Sequence, residues 1–248
     1  MDQTDSDLER MQWVHAAYLA SHRRYGYRRI QLWLVQKRGV TLNHKTVLRL
    51  MHKLGVRSIA RQPKAYHRRM DGENDQRYPN LLDRDFSATR PNQKWVTDVT
   101  QLHTQHGWAY LSVIQDLYDG FIVAYQFGPH NSLDLVDRTL RQAQRSETPS
   151  PGLLLHSDQG YQYRSRAYRI LTQTFNVVPS MSRRGNCWDN APIESFFGHL
   201  KEEALRHVPN PTFEVATQGI DEYMTFYNYE RIQLKTKLTP SERRCQFG

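Results

Sequence analysis

The chain has 248 residues, two cysteines and more basic than acidic side chains, with 34 Lys and Arg against 25 Asp and Glu. Residues 11–70 contain 14 Lys and Arg and no Asp or Glu, whereas the rest of the chain has 20 basic and 25 acidic side chains. A uniformly basic surface is therefore excluded. The asymmetry favours a polyanionic partner for the basic segment, although a solvated basic face would have the same composition.

Cysteine content and hydropathy exclude several other classes of protein. Two cysteines provide neither a disulfide framework nor a four-ligand zinc site. No apolar run approaches the length of a membrane span, and the acidic N-terminus is unlike a signal peptide. We expect a cytoplasmic protein of one or two domains that requires neither disulfides nor a structural metal for its core.

The basic segment shows the apolar spacing of three short helices. Two apolar stripes begin at Trp13 and Ile30, and a third follows Asn43. Asn43 is suitably placed to cap the start of the third helix, and Gly55 is suitably placed to end it. The third predicted helix has one apolar face and one basic face. Its basic face consists of Lys45, Arg49, His52 and Lys53. The pattern predicts a helix-turn-helix-type module, and a plain helical bundle with a basic surface is an equally supported alternative.

The remainder of the chain changes from helical to strand periodicity. Residues 57–90 lack a period and are interrupted by Pro, Gly and Asn, which is typical of an interdomain linker. Three β-branched runs with short turns then predict an antiparallel meander. The later apolar runs predict a helix, a buried strand, a second helix, a short strand and a long helix. The predicted strands lie at 95–103, 110–115, 121–127, 153–155 and 177–178, and the long helix lies at 191–205. This order predicts an α/β fold with one mixed sheet and helices packed on it.

Three carboxylates lie in positions that, taken together, favour a functional role over a structural one. Asp98 lies inside the first predicted strand, where Asp is disfavoured. Asp158 follows a buried strand, at the edge where mixed sheets place ligands. Glu194 lies in the first turn of the last long helix, two turns before Lys201. For any one of these acids taken singly, a cap or a surface charge is the favoured explanation.

Carboxylates that converge on one sheet edge repel each other unless a cation compensates their charge. Oxygen ligands without a Cys or His cluster favour Mg²⁺ or Mn²⁺ over zinc. Two such ions can stabilise the attacking and leaving oxygens of a phosphoryl displacement. The constellation therefore predicts metal-dependent phosphoryl transfer, with Lys201 as a contact to a substrate phosphate.

Five motifs resemble a known family. Residues 95–100 (WVTDVT), 156–163 (HSDQGYQY) and 190–201 (NAPIESFFGHLK) resemble the catalytic core of DDE transposases and retroviral integrases. The 35 residues between Asp158 and Glu194 match the spacing of the DD35E class. Residues 180–190 (SMSRRGNCWDN) and 227–231 (YNYER), with 238–241 (LTPS), are similar to the second-frame product of insertion sequences of the IS-three family.

The resemblance implies an RNase H-like five-stranded sheet flanked by helices and preceded by a small helix-turn-helix-like module. The implied domains are a basic module at 1–70 with a linker to about 90, a catalytic core at 91–208 and a C-terminal helical extension at 209–248. It implies two Mg²⁺ ions, replaceable by Mn²⁺, held by Asp98, Asp158 and Glu194. It also implies cleavage of one DNA strand at an element end, after which the released 3′-OH attacks another phosphodiester.

The family also implies partners and a place of action. The implied partners are element-end and target DNA, the upstream-frame product of the same element joined by frameshift fusion, and further copies of the chain in the active complex. The implied location is the bacterial cytoplasm, with nucleoid association when DNA is bound. The expected DNA contacts are Lys201, Arg183, Arg184, Arg28, Arg29, Lys45, Arg49 and Lys53.

Several other residues have two interpretations. Asp116 and Asp119 lie at a meander turn and are interpreted as structural. His156 either orients Asp158 or packs, and Arg231, beside an aromatic cluster, either packs or reaches DNA. Two other classes of protein remain open: a nuclease that cuts without transfer, and a non-enzymatic DNA-binding regulator or inhibitor derived from a transposase.

Overall fold

The computed structural model describes residues 3–59 and 77–247. Its first part consists of α1 (Gln3–Ala20), α2 (Tyr27–Arg38) and α3 (His44–Lys53). Gly39 ends α2 in the left-handed conformation, with φ of 66°, which glycine adopts at little cost. The Asn43 side chain accepts a hydrogen bond from the backbone N–H of Lys45 at the start of α3. Three short helices and the Asn43 cap are therefore confirmed.

A five-stranded mixed sheet forms the centre of the molecule, with the strand order β3-β2-β1-β4-β5. Strands β1, β2 and β3 form the predicted antiparallel meander. Strand β4 pairs in parallel with β1, and β5 pairs in parallel with β4. The strands span β1 (Lys94–Thr104), β2 (Gly107–Asp116), β3 (Ile122–Gly128), β4 (Leu154–Ser157) and β5 (Val178–Met181).

Five further α-helices are described after the meander: α4 (Leu133–Ser146), α5 (Arg166–Thr174), α6 (Ala191–Leu200), α7 (Phe213–Tyr229) and α8 (Pro240–Cys245). A 3-10 turn, Cys187–Asn190, leads into α6. Beyond Leu200 the chain continues as one π-helical turn, Lys201–Leu205. The helical span predicted at 191–205 is therefore confirmed, but its last turn is wider than an α-helix.

Two apolar clusters cover the two faces of the sheet. Because neighbouring residues of a strand point to opposite faces, Trp95 and Val96 of β1 belong to different clusters. The Trp95 cluster includes side chains of α4 and α5. The Val96 cluster includes Phe196 of α6 and Ile220 of α7, and it continues to Ile30 of α2. The N-terminal helices thus share a hydrophobic core with the helices that cover the sheet.

Polar contacts also join the N-terminal helices to the segment after α7. The Tyr25 hydroxyl donates to the Glu230 carbonyl at 2.7 Å and accepts from the Ile232 N–H at 2.9 Å. The Arg29 Nε donates to the Ile232 carbonyl at 3.0 Å. The Arg24 Nε donates to the Glu203 carbonyl at 3.0 Å. These bonds fix the first three helices against the C-terminal part of the chain.

Part of the predicted linker at 57–90, namely 60–76, lies outside the described residues. In the described part, the backbone N–H groups of Leu81 and Leu82 both donate to the Ser180 Oγ of β5. Leu82 is buried, so this stretch packs along the edge of the sheet. Within 3–59 and 77–247, we find no helix that is both long and apolar enough to cross a membrane.

Candidate active site

The parallel pairing of β1 with β4 brings two of the three predicted carboxylates side by side. Thr97 lies opposite Ser157 in this register, and Asp98 and Asp158 are the next residues of the two strands. Neighbouring strands are about 4.8 Å apart. Asp158 therefore begins its loop beside Asp98, at the carboxyl end of β4, where open α/β sheets bind ligands.

Local hydrogen bonds orient both carboxylates. The Asp98 Oδ1 accepts from the backbone N–H of Val99 at 2.8 Å, and the Asp158 Oδ1 accepts from that of Gly160 at 2.8 Å. A Cβ at position 160 would lie 2.9 Å from Asp158 Oδ1 and 3.0 Å from Gln162 Oε1. A side chain at position 160 would therefore displace the Asp158 carboxylate or the Gln162 amide from this arrangement.

The third carboxylate, Glu194, lies in the first turn of α6 and is exposed. Pro192 occupies the start of that helix, where its missing N–H costs nothing. The Asn190 Nδ2 donates to the Thr97 carbonyl at 3.4 Å. This bond ties the entry of α6 to β1, directly before Asp98.

The three acids influence one another's protonation. Burial raises the pKa of Asp98 well above its usual range, and the negative charges of Asp158 and Glu194 raise it further. Burial and the charge of Asp158 likewise raise the pKa of Glu194. Lys201 opposes the shift at Asp98, and its Nζ donates to the Thr100 hydroxyl at 2.5 Å. Asp158, Glu194 and Lys201 therefore all influence the charge of Asp98.

The donor set fits a hard divalent cation. Among the described residues, no three His, Cys, Asp or Glu side chains are close enough together to form a complete metal site as they stand. Asp98, Asp158 and Glu194 nevertheless offer only oxygen ligands, and their mutual repulsion is what a cation would offset. Mg²⁺ typically takes one or two carboxylates and completes its shell with water and substrate phosphate.

His156 is held between two serine hydroxyls. It is fully buried, with its Nδ1 2.8 Å from Ser180 Oγ and its Nε2 3.0 Å from Ser182 Oγ. Burial lowers the pKa of His156 to about 4, so the ring is neutral near pH 7. The packing interpretation of His156 fits these contacts.

The loop before α6 is organised around Asp189, a residue that the sequence analysis did not single out. Asp189 is fully buried and accepts hydrogen bonds from Arg183, Arg84 and Asn80. The hydrogen bonds from Arg183 hold the pKa of Asp189 below its usual range. Arg183, which was expected to contact phosphate, therefore also has a structural partner. Arg184, its neighbour, is exposed to solvent.

The basic face of α3 carries three of the predicted DNA contacts. Lys45, Arg49 and Lys53 are exposed. Arg49 pairs with Asp7 of α1 through both guanidinium nitrogens, at 2.9 and 3.0 Å, and the Lys53 Nζ lies 2.7 Å from the same carboxylate. The segment 11–70 has no acid of its own, but the fold supplies one from just outside it.

The other predicted or considered basic contacts lie in different surroundings. Arg28 is exposed on α2. Arg29, its neighbour, is partly buried against the C-terminal segment, as described above. Arg231 is 1% exposed and forms a bidentate ion pair with Glu203, at 2.8 and 2.7 Å. The packing alternative for Arg231 is therefore confirmed, and this side chain does not face solvent.

Asp116 and Asp119 form ion pairs within the fold, as expected from their position at the meander turn. Arg244 of α8 contacts Asp116 at 2.7 Å, Asp119 at 2.9 Å and Glu147 at 2.7 Å. Burial, with the charge of Asp119, raises the pKa of Asp116 to about 6. The cluster attaches the end of the chain to the meander, 128 residues away in sequence.

Family models match this chain over most of its length. An "HTH-like domain" model matches residues 5–64, and two "Integrase core domain" models match residues 88–187 and 194–247. A putative transposase, InsK of insertion sequence element IS150 from Escherichia coli K12, is 41% identical over 94% of this chain and 82% of its own length. The chain belongs to the insertion-sequence transposases.

Other relatives place the transposase within the DDE transposase and retroviral integrase superfamily. The transposase InsF of insertion sequence IS3A, from the same bacterium, is 35% identical over 77% of this chain and 66% of its own length. The catalytic core of HTLV-2 integrase, solved with magnesium, has the same fold, with a TM-score of 0.51. The match covers 63% of this chain and 98% of that core at 16% identity. Members of this family are enzymes of the polynucleotidyl transferase type.

Proposed function

We propose that this transposase cleaves and joins DNA strands at a site formed by Asp98, Asp158 and Glu194, with two Mg²⁺ ions or Mn²⁺ in their place. The observation that carries the proposal is the parallel β1–β4 register, which makes Asp98 and Asp158 neighbours. Glu194 belongs with them because its charge raises the pKa of Asp98. The presence of magnesium in the HTLV-2 integrase core, whose fold is similar, supports the choice of ion.

The divalent ions, when bound, would supply charge neutralisation for phosphoryl transfer. In the cleavage step, water attacks phosphorus at the element end, the bond from phosphorus to the 3′-oxygen breaks, and that oxygen takes a proton. In the joining step, the resulting 3′-OH attacks phosphorus of another phosphodiester, loses its proton, and releases that strand's 3′-oxygen, which is protonated. The three carboxylates would hold the cations in position, and the Lys201 ammonium would contact a phosphate oxygen.

DNA contacts outside the active site come from the basic face of α3. Lys45, Arg49 and Lys53 are exposed on this face, which belongs to the helix-turn-helix-like region. Arg28 and Arg184 are exposed as well. Lysine and arginine contacts to phosphate release counterions, so binding by these residues will weaken steeply as salt rises.

The transposase works in the cytoplasm on element-end and target DNA, with further copies of the chain in the active complex. Joining two element ends requires two active sites to act together, which favours a homo-oligomer. Fusion with the upstream-frame product of the same element would provide further end recognition. The family resemblance supports both partners.

Single variants of the three acids test the proposal. Asp98→Asn, Asp158→Asn and Glu194→Gln each remove one anionic ligand with little change in shape. Each should lower Mg²⁺-dependent joining at least a hundredfold. The assay uses a labelled duplex that carries the terminal inverted repeat flanking the gene, together with a target plasmid. Asp134→Asn is the matched control, because Asp134 is exposed on α4 and should leave joining unchanged.

DNA binding and metal binding provide the second readout. The three variants should bind the duplex as well as wild type in a gel-shift assay without metal, and they should bind Mn²⁺ more weakly by calorimetry. Full joining by the Glu194→Gln protein would refute the assignment. Cleavage without joined product would identify a nuclease. Binding without Mg²⁺-dependent cleavage, even in the upstream-frame fusion, would identify a regulator.

A further inference from the structure

Trp188 is the most exposed large apolar side chain among those described, with 69% of its surface accessible. It lies in the 3-10 turn Cys187–Asn190, six residues before Glu194. Its two successors, Asp189 and Asn190, are both buried. The turn therefore buries its polar residues and exposes its tryptophan, the reverse of the usual preference.

The backbone that carries Trp188 is fixed by the two residues that follow it. Asp189 is held by Arg183, Arg84 and Asn80, as described above. The Asn190 side chain donates to the Thr97 carbonyl, next to Asp98. The turn that carries the indole leads directly into the helix of Glu194 and is bonded to the residue before Asp98, so a ligand that contacts the indole would not have to order a loose loop.

The surroundings of Trp188 favour a negatively charged ligand. Arg84, Arg183 and Arg184 lie in the two segments that form the turn and its support, against Asp83 and Asp189. Arg84 and Arg183 remain about half exposed although they pair with Asp189, and Arg184 is exposed, so these guanidinium groups can contact phosphate oxygens. An exposed aromatic ring among arginines is the combination that proteins use for single-stranded nucleic acid, where the ring stacks on a base and the cations contact phosphates.

We propose that Trp188 stacks on an unpaired nucleobase of the DNA strand adjacent to the phosphate that reacts. A base within an intact duplex already has both faces covered, so only a base that has left the stack can accept the indole. Trp188 would therefore favour DNA that is opened beside the cleavage point. This inference rests on the proposed function, because it places the reacting phosphate at Asp98, Asp158 and Glu194.

The test measures DNA binding by the full chain, without metal, so that no cleavage occurs. Two labelled duplexes carry the same terminal repeat, one fully paired and one with three unpaired bases beside the cleavage point. A 2-aminopurine in the unpaired stretch reports stacking by quenching of its fluorescence. The proteins are wild type, Trp188→Ala, Trp188→Phe and Trp108→Ala, the last being a control tryptophan that is 53% exposed on β2.

Wild type should bind the opened duplex more tightly than the paired one and should quench the 2-aminopurine. Trp188→Ala should lose about tenfold in affinity for the opened duplex, lose the quenching, and bind the paired duplex as before. Trp188→Phe should keep most of both effects, and Trp108→Ala should match wild type. Thermal unfolding should be unchanged in Trp188→Ala, because the indole is exposed.

Equal ratios of opened to paired binding in wild type and Trp188→Ala would overturn the inference, as would undiminished quenching. A change in sedimentation of the DNA-free Trp188→Ala protein, with normal DNA binding, would instead assign Trp188 to a protein interface. The same measurements on Asp98→Asn protein separate the two proposals. Stacking that persists while joining is lost supports both, whereas joining by Asp98→Asn would refute the proposed active site independently of Trp188.

Discussion

The buried ion pair between Arg231 and Glu203 tests how the 227–231 segment (YNYER) stabilises the fold. Both side chains are almost fully buried, at 1% and 3% exposure. Two hydrogen bonds, at 2.8 and 2.7 Å, join them, and the Tyr223 hydroxyl donates to Glu203 at 3.0 Å. Burial alone would raise the pKa of Glu203, but the bonds from Arg231 hold it below its usual value.

Arg231→Met removes one partner and leaves the Glu203 charge buried with weaker compensation, from the Tyr223 hydroxyl, the His199 ring 3.7 Å away and the charge of Arg29. Removing one member of a buried pair costs about 3–5 kcal/mol. Each kcal/mol corresponds to about 2–4 °C in a chain of this size. The melting temperature should therefore fall by about 6–20 °C.

Circular dichroism during thermal and urea unfolding measures the effect. The double variant Arg231→Met, Glu203→Leu replaces both charges with apolar groups and should recover most of the loss, because no charge remains buried without a partner. Arg141→Met is the matched control, since Arg141 forms an ion pair with Asp137 on the exposed side of α4, and it should change the melting temperature little. A loss below about 1 kcal/mol in Arg231→Met, or a double variant no better than the single one, would refute the reasoning.

Two more predictions concern DNA binding and pH. Asp7→Asn should strengthen DNA binding about two- to fivefold at low salt, because Arg49 and Lys53 lose their competing partner. Glu9→Gln makes the same charge change on an exposed residue of α1 and should strengthen binding less. Equal effects of the two variants would contradict the role of α3 in DNA binding. Because the pKa of His156 is about 4 in the fold and about 6.5 when unfolded, stability falls as pH drops from 6.5 towards 4. The loss at pH 5 is about 2 kcal/mol, and His156→Gln should remove it in urea unfolding; an unchanged pH dependence would show that His156 is not responsible.

Local periodicity in the sequence was enough to predict most of the secondary structure. Strand alternation predicted the antiparallel meander, and helical spacing predicted the cap at Asn43 and the span of α6. Both signals depend on residues within one or two turns of each other. The π-helical turn after Leu200 has no such signal, because its geometry follows from packing that draws Glu203 inward to Arg231.

The candidate active site was partly predictable for a different reason. Asp98 and Asp158 stand out because each interrupts or follows a buried strand, and the fold then makes them neighbours. The partners of charged side chains were not predictable. Arg244 reaches Asp116 across 128 residues, and Asp7 reaches Arg49 across 42. No local sequence pattern predicts such pairs, because they depend on how the helices and strands pack.

The charge asymmetry of the chain also has a structural meaning. If the basic N-terminal segment folded independently, residues 1–70 could be removed and the carboxylate site would remain folded. In the fold, however, Tyr25 bonds to the backbone of Glu230 and Ile232, and Ile30 shares a hydrophobic cluster with Phe196 of α6. Removal would expose the apolar surface beside the helix that carries Glu194. Among the described residues, the basic helices therefore pack as part of the body that carries the carboxylates, and arginines such as Arg24 and Arg29 bind the chain itself.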